Sequence, residues 1–324
     1  MSTNVADKKN PGKALPISKR SNRRMMFREI VKNRSLYIML IPVILYFVLF
    51  QYKPMYGAII AFKDFNPFVG VWDSKWVGFK HFEQFFESYY FWRILRNTIL
   101  ISLYQLIFAF PAAIILALLL NEVRSMVFKK VVQSISYLPH FISLVVVCGM
   151  IIDFLQPDGI INRMLLSVGL IEQPINFLIQ SQWFRTIFVG SGIWQGVGWS
   201  SIIFLAALAG INPSLYEAAV VDGAGRWKQM WHITLPGLMP TIVILLIINI
   251  GNFMVVGFDK IILLYNPSTY ETADVIGSFV FRRGIVEANY SFTAAVGLFN
   301  SVINFALLII VNQIARKKAE ASLW

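Results

Sequence analysis

Six long, mostly apolar runs, roughly 35–54, 97–120, 137–155, 186–209, 240–264 and 290–313, limit what this chain can fold into more than any other feature. About 20 mostly apolar residues are needed to cross a bilayer as helix, and each run meets that length. A transmembrane barrel would instead alternate apolar and polar residues over strands of about 10 residues, and these runs do not alternate. The whole chain agrees: 57% of its 324 residues are hydrophobic, 14% are charged, and the mean hydropathy is +0.62. An ordinary soluble domain carries about 25% charged residues. The expected fold is all-α, a polytopic membrane protein with six transmembrane helices.

The net charge of +12 raises nucleic acid as a partner, but its placement points to topology. Ten basic residues precede Ser35: Lys8, Lys9, Lys13, Lys19, Arg20, Arg23, Arg24, Arg28, Lys32 and Arg34. With this end in the cytoplasm, six spans put Arg124, Lys129, Lys130, Arg226, Lys228, Arg316, Lys317 and Lys318 on the same side, as the positive-inside rule requires. The first outer loop carries six basic residues, offset partly by Asp64, Asp73, Glu83 and Glu87. The expected layout is a disordered basic cytoplasmic tail over 1–34, a first helix and outer segment over 35–96, a core of five helices over 97–315, and a cytoplasmic end over 316–324. The first run continues into Gln51-Tyr52-Lys53-Pro54 without a small-x-small cleavage site, so it reads as a retained span.

Several chemistries are disfavoured. No phosphate-binding loop is present, since Gly12-Lys13 is followed by Ala14 and lacks the first glycine. His81, His140 and His232 are scattered, which argues against a metal site, and Cys148 is the single cysteine. Charge within the runs is limited mainly to Asp153, Asp259 and Lys260 near their predicted ends, where they read as snorkelling side chains. Ion-coupled carriers place ionisable groups or broken helices near the midplane, and neither stands out, so a secondary carrier or channel is the lesser alternative. No cluster of catalytic polar residues suggests an enzyme.

Between the fourth and fifth runs lies a loop of different character, 212–239. Asn212-Pro213 can end one helix and open another, and Ser214-Leu215-Tyr216-Glu217 fits a capping box. Ala218 and Ala219 permit close approach of another surface, Asp222-Gly223-Ala224-Gly225 offers a turn, and a second short helix is expected from Arg226 to Ile233, ending near Pro236. Such short helices need external contacts to persist.

These residues resemble the EAA loop of permease subunits in ATP-binding-cassette importers. Glu217-Ala218-Ala219, Gly223, Ile233, Leu235 and Pro236 reproduce the pattern EAA-x3-G-x9-I-x-LP, and Asp222, Ala224 and Pro240 fit the sugar-importer version. Tyr56–Asn66, Trp76–Phe82, Phe91–Thr98, Leu138–Ser143 and Ile193-Trp194-Gln195 extend the resemblance to the larger permease of the maltodextrin-type carbohydrate-uptake group, and within it to permeases for polysaccharide fragments of oligogalacturonide or alginate type. The resemblance implies a type I importer fold, an extracytoplasmic sugar-binding protein, a second homologous permease, an oligosaccharide as cargo, and two cytoplasmic ATPase subunits that hold ATP and Mg while this chain holds no cofactor. It also implies that Glu217, Ala218, Ala219, Asp222, Gly223 and Ala224 contact an ATPase. A solute other than sugar is the alternative within transport.

Sugar recognition needs polar groups and flat aromatic faces in an apolar pathway. Asn249 and Asn252, three apart on one helix face, are the first candidates, with Gly251 leaving room between them. Both fall on a segment that resembles the asparagine-containing span of the maltodextrin-type relatives. His140, after Pro139, falls near another lining position of that group, and Trp194 and Gln195, with Trp199, offer stacking and hydrogen bonds.

Overall fold

A computed structural model of the chain describes residues 32–318. The basic tail expected over 1–34 therefore falls mostly outside the described residues, as does 319–324. Among the described residues, six helices are long and apolar enough to cross a membrane: Arg34–Phe62, Phe91–Glu122, Leu144–Ser167, Ser181–Ala209, Arg226–Gly251 and Tyr290–Lys317. They are called spans one to six below. The chain divides into two compact units, 1–58 and 59–324. In the first, the apolar side chains from Leu36 to Phe50 are exposed all round, which suits a helix surrounded by hydrocarbon.

In the second unit, spans two, four and five share one apolar core. Ala113 and Ala117 lie four residues apart on one face of span two and are buried with Phe204 and Leu208 of span four and Leu238 of span five. Small residues let helix axes approach where hydrocarbon offers no hydrophobic drive. The closest approach is at Gly198, where a Cβ would lie 2.1 Å from the Ser136 carbonyl oxygen, so no larger residue fits between span four and helix Met126–Tyr137. A second core joins Phe85, Phe91, Ile94, Phe279, Phe292 and Val296 around the outer segment, and a third joins Val147, Cys148, Phe188, Ile261 and Val275. Two-residue strands Lys63–Asp64 and Lys75–Trp76 pair antiparallel.

Proline shapes the spans in a repeated way. Pro54, Pro111 and Pro236 each follow a five-residue π turn by two positions, the turns being Val48–Tyr52, Gln105–Ala109 and Met230–Thr234. A proline ring crowds the carbonyl four residues earlier and cannot bond to it. That carbonyl falls inside each π turn, whose wider hydrogen bonding accommodates the ring without breaking the helix. The helix expected to stop near Pro236 thus continues from Arg226 to Gly251.

Two expected spans are discontinuous. The run 137–155 opens with a 3₁₀ turn, Leu138–Phe141, and extended backbone at Ile142 and Ser143, so the regular helix is only Leu144–Leu155. The run 240–264 breaks after Gly251 and resumes as Phe258–Leu264. Backbone that leaves a helix at membrane depth must find partners in the protein. Here the Ser102 hydroxyl of span two donates to the Phe253 carbonyl, and the Met254 N–H donates to Oδ1 of Asn304 on span six, 2.9 Å away. Replacing Asn304 with leucine leaves the buried Met254 amide without an acceptor, at about 1–3 kcal/mol. The expected result is a lower thermal midpoint in detergent for the Asn304→Leu protein; an unchanged midpoint would show that the break is held by other contacts.

Candidate functional site

The loop helix is Pro213–Val221, capped by Asn212, whose side chain accepts from the Ser214 N–H at 3.0 Å. Asn212 rather than Ser214 is therefore the cap: Pro213 has no N–H to satisfy, so the helix opens one residue before the expected capping box. At the other end Gly223 has φ +73°, the left-handed region open to glycine. Ala224 N–H donates to the Ala219 carbonyl and Gly223 N–H to Val220, the paired bonds of a Schellman turn. Tyr216 Oη lies 3.0 Å from Thr234 Oγ1, and the Gln229 side chain donates to the Ala224 carbonyl at 2.7 Å, so the loop helix is fastened to span five. Glu217, Ala218, Asp222 and Gly223 are exposed beside Val221, which is 87% exposed, and Trp227.

A cavity of about 450 Å³ lies among spans two, four and five. Span two contributes Ser102, Gln105 and Ala109 across its π turn, span four Gly192, Trp199 and Ser200, and the end of span five Asn249, Asn252 and Phe253. Each asparagine donates its amide to the carbonyl four residues earlier, Asn249 to Leu245 at 2.8 Å and Asn252 to Ile248 at 3.2 Å. Their Oδ1 atoms are left to accept from something else. His140 does not line the cavity itself; its ring stacks on Trp199 with centroids 4.6 Å apart and planes 3° from parallel. Gly251 faces span six instead, where a Cβ would meet Leu308 at 2.8 Å. Trp194 and Gln195 are off the lining, because the cavity face of span four runs through Val189, Gly192, Trp199 and Ile203.

A buried polar network stands beyond the cavity. Asp274, 0% exposed, receives Arg282 at 2.7 Å, Arg93 at 3.3 Å and the Ser278 hydroxyl at 2.8 Å. Asn97 of span two donates to the carbonyls of Glu271 and Asp274 and accepts from Arg185 of span four at 2.9 Å. The Asp274 carboxylate thus ties span two to the segment before span six through Arg93, and Asn97 links span four to the backbone of that segment.

Residues 109–320 match the family described as binding-protein-dependent transport system inner membrane component. The chain belongs to that family. Its members are the membrane-spanning permease subunits of ABC importers, in which ATP hydrolysis lies in separate subunits. Among relatives, the protein LplB of Bacillus subtilis is 46% identical over 88% of this chain and 90% of its own. The polygalacturonan/rhamnogalacturonan transport system permease protein YteP of the same organism is 40% identical over 99% of each. Among solved structures, a chain of a bacterial ABC transporter involved in the import of the acidic polysaccharide alginate superposes with a TM-score of 0.84 at 45% identity, covering 91% of this chain and 99% of that one.

In this permease the sequence reading overlooked Ser102, Gln105, Asn304 and Asp274, which carry no motif and gain meaning from residues on other elements of the fold. Lys260 was misread: it is 7% exposed, not a snorkelling side chain, because the helix break at 252–257 turns it back into the protein. Removing the Asp274 carboxylate strands two guanidinium groups, a loss of about 3 kcal/mol for a buried pair broken on one side. The Asp274→Asn permease is expected to melt at lower temperature in detergent than the parent, and Arg93→Met, which leaves Arg282 in place, by less.

Proposed function

We propose that this permease forms, with a second homologous permease, the pathway of an ATP-driven importer for an oligosaccharide handed over by an extracytoplasmic binding protein. The observation that carries this reading is the cavity wall. Two asparagine oxygens at the end of a broken helix share the cavity wall with the Ser102, Gln105 and Ser200 side chains and with the Trp199 ring, on which His140 stacks from outside the lining. Hydroxyl donors and a flat sugar face fit such a lining, since polar groups spaced along an apolar pocket fix orientation and a ring face covers apolar sugar carbons. The identities with relatives named for polygalacturonan and alginate support a carbohydrate.

Energy would enter at the loop helix. Glu217, Ala218, Ala219, Asp222, Gly223 and Ala224 would sit in a cleft of one of two ATPase subunits, which would hold ATP and Mg. Exposed Leu215, Val220 and Val221 would bury apolar surface there. The Tyr216–Thr234 contact supports a rigid transfer of motion into span five, whose far end carries Asn249 and Asn252. Both described ends of the chain would be cytoplasmic, in keeping with the basic residues gathered there and in the loop.

The test is ATP-driven uptake by the complete transporter in proteoliposomes. Glu217→Ala is expected to cut uptake about tenfold, the size of one charge-assisted contact. Gly223→Pro should abolish it, because proline cannot adopt the positive φ of the turn. Membrane insertion should be unchanged in both. Uptake that persists without ATPase subunits would overturn the importer reading in favour of a carrier.

A further inference from the structure

The π turn of span two opens a backbone group onto the cavity. In a regular helix each carbonyl accepts from the N–H four residues later. Within Gln105–Ala109 the register slips by one, and the Phe110 N–H donates to the Gln105 carbonyl, five residues back. The Leu106 carbonyl thereby loses its ordinary donor. In the slipped register its donor would come from position 111, and Pro111 has no N–H. Neither the regular nor the slipped register supplies the Leu106 carbonyl with a donor.

The neighbours of that oxygen place it on the wall. A helical carbonyl points along the axis, toward the residues three and four positions on. Those are Ala109 and Phe110, and both line the cavity together with Gln105 and Leu106, whereas Pro111 does not. Ala109 has only a methyl group with which to cover the oxygen. No hydrogen bond joins the adjacent Gln105 carboxamide to the rest of the described protein. A backbone carbonyl without a donor at membrane depth costs free energy unless water or a ligand meets it. The same slip occurs before Pro236, where the Leu235 N–H donates to Met230 and leaves the Trp231 carbonyl without either donor, but Trp231 does not line the cavity.

We propose that the Leu106 carbonyl is a cargo contact that accepts one hydroxyl of the passing oligosaccharide, and that Pro111 is the positioning residue that keeps it open by having no N–H to give. The inference rests on the sugar reading above. The Leu106 oxygen joins the Asn249 and Asn252 oxygens as a third acceptor on the wall, while the Ser102 hydroxyl beside them is engaged by the Phe253 carbonyl. A wall rich in acceptors suits a ligand rich in hydroxyl donors. A site that hydrogen-bonds a hydroxyl also rejects the analogue lacking it, because the buried acceptor is then left unpaired.

The experiment uses the whole transporter with its partner permease, ATPase subunits and binding protein, in proteoliposomes. Uptake of trigalacturonate is compared with that of analogues that each lack one hydroxyl. Dividing each variant's rate by the parent's for the same sugar removes the discrimination made by the binding protein. Pro111→Ala supplies the missing N–H and is expected to cut trigalacturonate uptake about three- to tenfold, the size of one neutral hydrogen bond, while for one of the deoxy analogues the ratio stays near one. Its melting temperature should not fall, since alanine is the better helix former. Replacing Pro111 with lactic acid, which has alanine's methyl group but an ester oxygen in place of the N–H, is expected to restore uptake of the full sugar. Pro236→Ala gives the same N–H to a carbonyl away from the cavity and is expected to change all the sugars by one factor. An equal fall for every sugar in Pro111→Ala, a loss that the ester does not relieve, or unchanged uptake would make Pro111 a residue of helix shape alone and overturn the inference while leaving the sugar reading intact. Transport of a non-sugar solute, with none of these sugars moved by the parent, would overturn both.

Discussion

The break in span five at 252–257 is the constraint on which the cavity depends. Hydrocarbon offers no water to satisfy the N–H and carbonyl groups that leave a helix, and here Ser102 and Asn304 supply partners from two other spans beside the local backbone bonds of the break. Its consequences reach the candidate site directly. Asn249 and Asn252 come to the end of a helix, with their amides folded back on the preceding turn and their oxygens free. Lys260 is carried on a separate short helix that packs back against span four. A continuous helix would have sent the lysine two turns further along the same axis.

A second constraint works where spans two and four meet the segment before span six. Asp274 holds two arginines, and Asn97 relays the contact to a third. Buried charge of this kind adds less net stability than an apolar core of equal volume, but it is exacting about geometry, since any partner that moves leaves a charge unpaired. The network fixes the positions of the helices that line the cavity. The loop helix at the opposite end of span five is held by a Schellman turn and the Tyr216–Thr234 contact, and its apolar residues remain exposed.

Much of this was readable from particular residues. The six apolar runs correspond to six membrane-crossing helices, with ends displaced by up to about a dozen residues, because hydropathy reports burial in lipid and not where a helix is capped. Pro213 and Gly223 marked the loop helix through backbone rules that act locally. Pro236 was misleading for the opposite reason: a rule derived for regular helices predicts an end, and the π turn at Met230–Thr234 provides a local escape that residue preferences do not reveal. Asn249 and Asn252, singled out for their spacing, both line the cavity. Gly251 seemed to open room between them, but its position one residue around the helix points it at Leu308 of span six.

The sequence by itself determined the membrane setting, the number of spans, the charge asymmetry and the loop motif, all of which depend on local composition and spacing of about one helix turn. Only the tertiary structure decided which polar residues meet. Ser102 with Phe253, Asn97 with Arg185, Asp274 with Arg93 and Lys260 with Phe188 are pairs separated by 72 to 181 positions. Their meeting depends on the rotation of each helix about its axis, a few tens of degrees that shift with every proline turn and small-residue contact. That rotation is a property of the packed bundle, set by close approaches such as Gly198 against Ser136, and no single run of sequence encodes it.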